Sequence, residues 1–197
     1  MNGNPDPFDA DTVFAPLRGI RVWNVLLPGF IDRDLPLPFF RPMPSAVYFA
    51  LHTDRKGSAI GAWARDGFIR VAAADDEGVL TLSRVDEPVC PPELADLADE
   101  DEDEDDEFAV GGCGHDFLGT DIPLALTRVR YALDDGSDLV PGAFRCAEFT
   151  FGPARVFLDP MNFDGIRIQG AGAYEKCVAD QRSRTTFGPV REHVWVP

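Results

Sequence analysis

Cys113-Gly114-His115-Asp116 is the one stretch of this chain that sets a thiol, an imidazole and a carboxylate side by side, with glycine freedom around them. A nucleophilic cysteine needs a base that lowers its pKa, and a nearby imidazole can do this. Read as an enzyme site, Cys113 is the nucleophile, His115 its base, and Asp116 or a more distant carboxylate orients the ring. Residues two apart share a side only where the backbone is regularly extended, and Gly114 weakens that condition. The same residues could supply two zinc ligands, with Cys90, Cys146 or His193 completing the set. Structural zinc sites announce themselves as paired CxxC or HxxxH knuckles, and the sequence has neither. The leading expectation for the tetrapeptide is therefore a structural turn, with no metal and no cofactor; a metal site comes next as an alternative, and thiol chemistry after it.

A second chemistry is electrostatic. Asp99, Glu100, Asp101, Glu102, Asp103, Glu104, Asp105, Asp106 and Glu107 form an unbroken acidic run. No apolar face can be drawn through it, so it is solvated or meets something cationic. The chain carries a formal charge of −16, yet without the eleven acids between Glu93 and Glu107 it has 23 acidic against 18 basic residues. The excess charge is local. That excludes a surface acidified throughout, and the lack of clustered cations argues against direct nucleic-acid binding. A calcium loop needs alternating ligands and a glycine at its sharp bend, which the run lacks. A solvated loop, or a docking element for a basic protein partner, remains.

Other catalytic patterns fail. There is no G-x-S-x-G elbow. Gly165, Gly170 and Gly172 miss the spacing of a dinucleotide turn. With 34 acids no carboxylate pair stands out; Asp159-Pro160 with Asp164, and Asp32 with Asp34, read as turn residues. Arg182, Arg184 and Arg191 form a small basic group, expected to clasp the acidic run from within the same molecule.

The elements that must position these groups are mostly strands. Residues 1–16 read as a loose N-terminal arm, and 17–197 as a single β-rich domain with an acidic insertion at about 93–110. Leu17–Leu27 is apolar on both faces, as in a buried strand. Pro28–Pro44 holds five prolines with Phe30, Phe39 and Phe40; it reads as an extended connector, its aromatics packed down or offered to a partner. Four segments, Ala46–His52, Ala59–Ala64, Phe68–Ala73 and Val79–Val85, read as an antiparallel meander, with Thr53–Ser58, Arg65–Gly67 and Ala74–Gly78 as its turns. Pro91-Pro92-Glu93 opens a short helix that runs into the acids. Gly111–Gly114 marks tight backbone. Strands follow at Ile122–Leu133, Ala143–Phe151, Arg155–Leu158, Phe163–Gln169 and Val190–Val196. A helix at Ala171–Arg182 puts Tyr174, Cys177 and Val178 on one apolar face. The fold class is mainly β (β-rich α+β): an antiparallel meander or sandwich, or a partly closed barrel, with one or two short helices.

No run of apolar residues approaches the ~18 of a membrane span. Met1–Asp11 has neither a basic start nor an apolar core, so the chain reads as cytoplasmic with reduced thiols. The functional expectation is a non-catalytic protein-binding or inhibitory protein, possible kin in type to bacterial immunity proteins, which captures a basic partner through Asp99–Glu107 and then buries Phe39 and Phe40. An enzyme using Cys113, His115 and Asp116 as a thiol–imidazole or metal site, and a structural subunit that buries Phe39 and Phe40 against an identical chain, are the alternatives.

Overall fold

The alternation of Val47, Phe49 and Leu51 with Ala46, Tyr48 and Ala50 dictates a strand with two apolar faces, and all six side chains are buried. The computed structural model describes residues 8–33, 37–52, 65–74, 78–91, 107–161, 165–182 and 188–197. Among these, eleven antiparallel strands form one sheet that coils on itself without closing, accompanied by three short helices. The strands are β1 Arg21–Asp32, β2 Phe39–Pro42, β3 Ala46–His52, β4 Arg65–Ala74, β5 Val79–Val85, β6 Glu107–Gly112, β7 Leu124–Leu133, β8 Cys146–Phe151, β9 Ala154–Pro160, β10 Ile166–Gln169 and β11 Arg191–Trp195. The helices are α1 Ala10–Val13, α2 Gly114–Leu118 and α3 Ala173–Arg182. None is long and apolar enough to cross a membrane.

β1 is the hub. Along one edge it pairs with β3 and β2, and along the other with β7 and β6. The meander β3-β4-β5 extends one half of the sheet, and β7-β8-β9-β10 the other. The halves face each other over one core, where the Phe49 ring lies 5.1 Å from Phe149 and 5.2 Å from Phe151. At the far side Leu80 and Phe144 exchange backbone hydrogen bonds at 2.7 and 2.9 Å, a single bridge across the gap. Each half also buries part of its outer face. Tyr48 packs there with Ala46, Ala50, Phe68 and Ala72, and its hydroxyl accepts the Val89 N–H at 3.0 Å. On the other half α3 lays Tyr174 and Val178 over Ala132, Cys146 and Phe157.

Several expectations are corrected. Residues 8–16 are not loose. Asp9 caps α1 by accepting from Asp11 N–H at 3.1 Å and Thr12 N–H at 3.4 Å, and Phe14 and Leu17 are fully buried. Two aromatics, Phe8 and Phe14, tie this segment to the core. The first strand starts at Arg21 and continues through Pro28 to Asp32, so the expected connector is largely sheet. Proline is tolerated there because Pro28 C=O accepts from Met43 N–H at 2.9 Å. In an antiparallel strand N–H and C=O of one residue point the same way, so the missing donor faces the seam between β2 and β3. Arg65–Gly67 is strand rather than turn; Gly67, at φ +87°, sits in a bulge opposite Leu51, where the β3–β4 register shifts. Gly111 and Gly112 are strand, and Gly114 opens α2, a helix the sequence reading lacks. Asp159-Pro160 ends β9 instead of forming a turn. The expected strand Ala59–Ala64, the helix after Pro92, and Asp99–Asp106 lie outside the described residues.

Candidate functional site

Glycine pairs make the first candidate site. β1 beyond Leu26 leaves the sheet body flanked by β2 and β6, a three-stranded ribbon. Register places Phe40, Ile31 and Glu107 directly across from one another, and Phe39 opposite Asp32. With strands about 4.8 Å apart, Phe40 and Glu107 backbones lie about 10 Å from each other. The Phe40 ring lies over Gly29 and Gly111, so close that a Cβ on Gly29 would come within 2.8 Å of it. A Cβ on Gly111 would meet the ring, and one on Gly29 would meet the Arg41 carbonyl oxygen even sooner than the ring, so neither position has room for a side chain, while Phe40 stays partly exposed. Phe39 is the aromatic left outward, 57% exposed, next to Leu37 at 79%.

Glu107, the last of the nine acids, pairs with Arg33 at 2.7 Å and anchors the C-terminal end of the run to this ribbon. Asp32, expected as a turn residue, is instead buried and bound by Arg41 at 2.5 Å. Two of the features singled out from sequence, an outward phenylalanine and the acidic run's end, thus arrive at the same tip. Arg191, expected in the clasp, donates to both Asp138 oxygens at 2.6 and 2.7 Å, and Asp99–Asp106 lie outside the described residues. Arg184 and the Arg182 side chain lie outside the described residues.

The thiol–imidazole site is arranged differently from its sequence reading. Cys113 stands at the N-cap of α2, not in an extended strand, so the spacing argument for a shared side does not apply. Its thiol donates to Val25 C=O at 3.3 Å. Asn24 fixes the turn, its side-chain oxygen accepting from Gly114 N–H at 2.8 Å and Val25 N–H at 2.9 Å. A cavity of about 450 Å³ opens beside it, walled by Trp23, Asn24, Gly112, Gly114, His115 and Asp121. His115 lines that space, whereas Cys113 does not. His115 and Asp116 are exposed. Burial, with the Asp116 carboxylate adding to it, pushes the Cys113 thiol up to about 11. At neutral pH the thiolate is then about one part in ten thousand, the opposite of an activated nucleophile. Alkylation of Cys113 in the folded protein is expected to be slow at pH 7 and to accelerate as pH rises toward 11. Fast labelling at neutral pH, matching the unfolded chain, would restore the thiol–imidazole reading.

Among the described residues no group of three or more His, Cys, Asp or Glu could hold a metal ion. His193, considered as a zinc partner, stacks on Tyr131 with ring centroids 5.3 Å apart. Cys146, another, is buried beneath α3 beside Cys177. That second thiol pair is absent from the sequence reading, which took Cys177 for an ordinary member of the helix's apolar face. No family model, curated protein or solved structure matches the chain, so the site's own chemistry carries its functional reading.

Proposed function

We propose that the protein is a non-catalytic binder that captures a basic partner with the tip of the β1-β2-β6 ribbon. The observation that carries this reading is that exposed Phe39 and Glu107, where the acidic run joins β6, lie at the same end of the ribbon, on its two opposite faces. Charge and apolar area have separate tasks in such a site. Carboxylates steer the encounter and raise the association rate by 10- to 1,000-fold, while burial of Phe39 and Leu37 slows dissociation. Phe40, partly buried over Gly29 and Gly111, is held on the same face as Glu107 and adds its exposed part to the contact surface. The finer form of the reading is an inhibitor of immunity type. Its four free cysteines fit a reducing compartment, the cytoplasm.

Immobilised peptides rich in Lys and Arg, half of them carrying adjacent leucine or aromatic residues, test both tasks. The apolar-bearing peptides are expected to bind best, with an association rate that falls steeply as salt screens the charges. Changing the nine acids to serine should lower that rate by about tenfold or more, and Phe39→Ser should act on dissociation. Binding that ignores salt and survives both changes would overturn the proposal.

A further inference from the structure

A cavity of about 380 Å³ opens on the outer face of the second half of the sheet, between β9, β10 and α3, far in sequence from the acidic run. Its walls include Arg145, Asp159, Arg167, Lys176, Cys177 and Asp180. Arg145 is held in place by Asp159, to which it donates at 2.9 Å, and by Asp134 at 3.8 Å. Both carboxylates are buried, so one cation of the wall is fixed rather than waving in solvent. Cys177 projects from α3 and is partly exposed to the cavity. Cys146, the next residue after Arg145, lies behind it at 1% exposure. The two thiols pack in one cluster with Phe157, Tyr174 and Val178, and are hydrogen-bonded to each other.

We propose that Cys177 and Cys146 form a peroxide-reactive dithiol site, in which hydrogen peroxide entering this cavity oxidises Cys177 and Cys146 then resolves it to a disulfide. Access assigns the roles: Cys177 meets the cavity, and Cys146 meets only Cys177 and the core. In the first step the Cys177 thiolate attacks one peroxide oxygen. An S–O bond forms, the O–O bond breaks, and sulfur gives up two electrons. The departing hydroxide takes a proton from solvent and leaves as water. In the second step the Cys146 sulfur attacks the Cys177 sulfenic acid. An S–S bond forms as the S–O bond breaks, and the released hydroxide carries off the Cys146 proton as a second water.

The hydrogen bond from Cys146 lowers the Cys177 pKa below the ordinary thiol value, and Arg145 on the β8 side acts the same way. Burial, Asp159 on β9 and Asp180 on α3 oppose them. Cys146 moves up, as the donor of that bond and as a buried group. Cys113 and Cys90 are both raised, chiefly by burial. The site is thus distinguished from the other cysteines by a partner thiol that sits behind a cavity-facing one. It stands independently of the ribbon's binding role.

The test uses the reduced full-length chain with a small excess of hydrogen peroxide, followed by alkylation and peptide mapping. The expected product has lost two hydrogens, links the Cys146 and Cys177 peptides, and leaves Cys90 and Cys113 open to alkylation. In Cys146→Ser, with no resolving thiol, Cys177 should accumulate as a sulfenic acid that dimedone traps. Cys177→Ser should leave Cys146 reduced. The wild-type map decides even where a variant folds poorly. A disulfide through Cys90 or Cys113, or oxidation of either at a rate equal to that of Cys177, would overturn the proposal, as would the absence of a Cys146–Cys177 link.

Discussion

Arg130→Met is expected to cost the fold about 3 kcal/mol, the low end of what breaking a buried ion pair does. The reason lies across the strand pair. Arg130 on β7 stands opposite Glu148 on β8, with 3.6 Å between charged atoms. Glu148 is wholly buried, and neither of its oxygens accepts a hydrogen bond from the described residues. The same guanidinium lies 4.2 Å above the Tyr174 ring, binds Glu175 on α3, and stands 3.9 Å from Glu192 on β11. One cation therefore joins two strands and a helix around an enclosed carboxylate. Methionine preserves much of the volume and removes the charge, leaving Glu148 with no cation from Arg130. The low end is appropriate because Arg130 keeps 19% of its side chain in water.

Urea midpoints at constant m-value measure the loss. The double variant Arg130→Met, Glu148→Met should recover most of it, since apolar replacement of a buried pair is often neutral. A double variant as unstable as the single one would show that packing, not the stranded charge, sets the cost. Acid provides a second readout. The hydrogen bond from Arg130, with a smaller backbone contribution, holds Glu175 below the ordinary carboxylate value. A depressed folded pKa gives stability that is present above the unfolded value and is lost as pH falls through the folded one. Glu175 is half exposed, so this share is small, and it should disappear from the acid limb of the Arg130→Met curve.

Phe14→Ala should cost about 3–4 kcal/mol, as for other large aromatic truncations in a core. Phe14 has no solvent exposure, and its ring lies 5.1 Å from Tyr131, 5.5 Å from Trp195, 5.6 Å from Phe144 and 6.0 Å from Phe8. These rings come from β7, β11 and the approach to β8, so the N-terminal segment closes one end of the shared core. Trp195 also donates to Asp11 at 3.1 Å, joining α1 to β11 by a polar contact. Thermal unfolding measures the loss. Proteolysis should then cut near residues 8–20 well before the sheet. A change below about 0.5 kcal/mol, the scale of surface substitutions, would return this segment to the status of an unattached arm.

Strong period-two patterns were legible in the sequence. β3 and β5 start and stop at the expected residues, because Val47 to Leu51 is apolar on both faces and Val79, Leu80 and Leu82 supply the buried start of β5. The helix carrying Tyr174 and Val178 was legible for the same reason at period 3.6. What sequence could not supply was the identity of distant partners. Asp159 reads locally as a turn former; Arg145, brought alongside by the β8–β9 hairpin, makes it an ion-pair residue in a strand. Pro28 reads as a breaker until the β2–β3 seam shows where its missing donor points. Phe14 lies in a short segment with no strand or long-helix period, so nothing local points to the four rings it meets. At the ribbon, Phe39 and the acids could each be named from composition, but their common tip follows from the register of β1 with β2 and β6. Cys146 and Cys177 had no local signal at all, since a strand and a helix bring them together only in the folded chain.

The position of β1 in the sheet has a kinetic consequence. Arg21 pairs with His52 on one side and with Ala125 on the other. During synthesis at about 5–20 residues per second, its second edge waits roughly 5–20 s for a partner to emerge. Throughout that interval the strand that organises the molecule exposes unpaired amides, and the late, long-range closure makes slow, topology-limited folding the expected regime. Crowded ribosomes, rather than heat, are then the setting in which this architecture is most exposed to self-association.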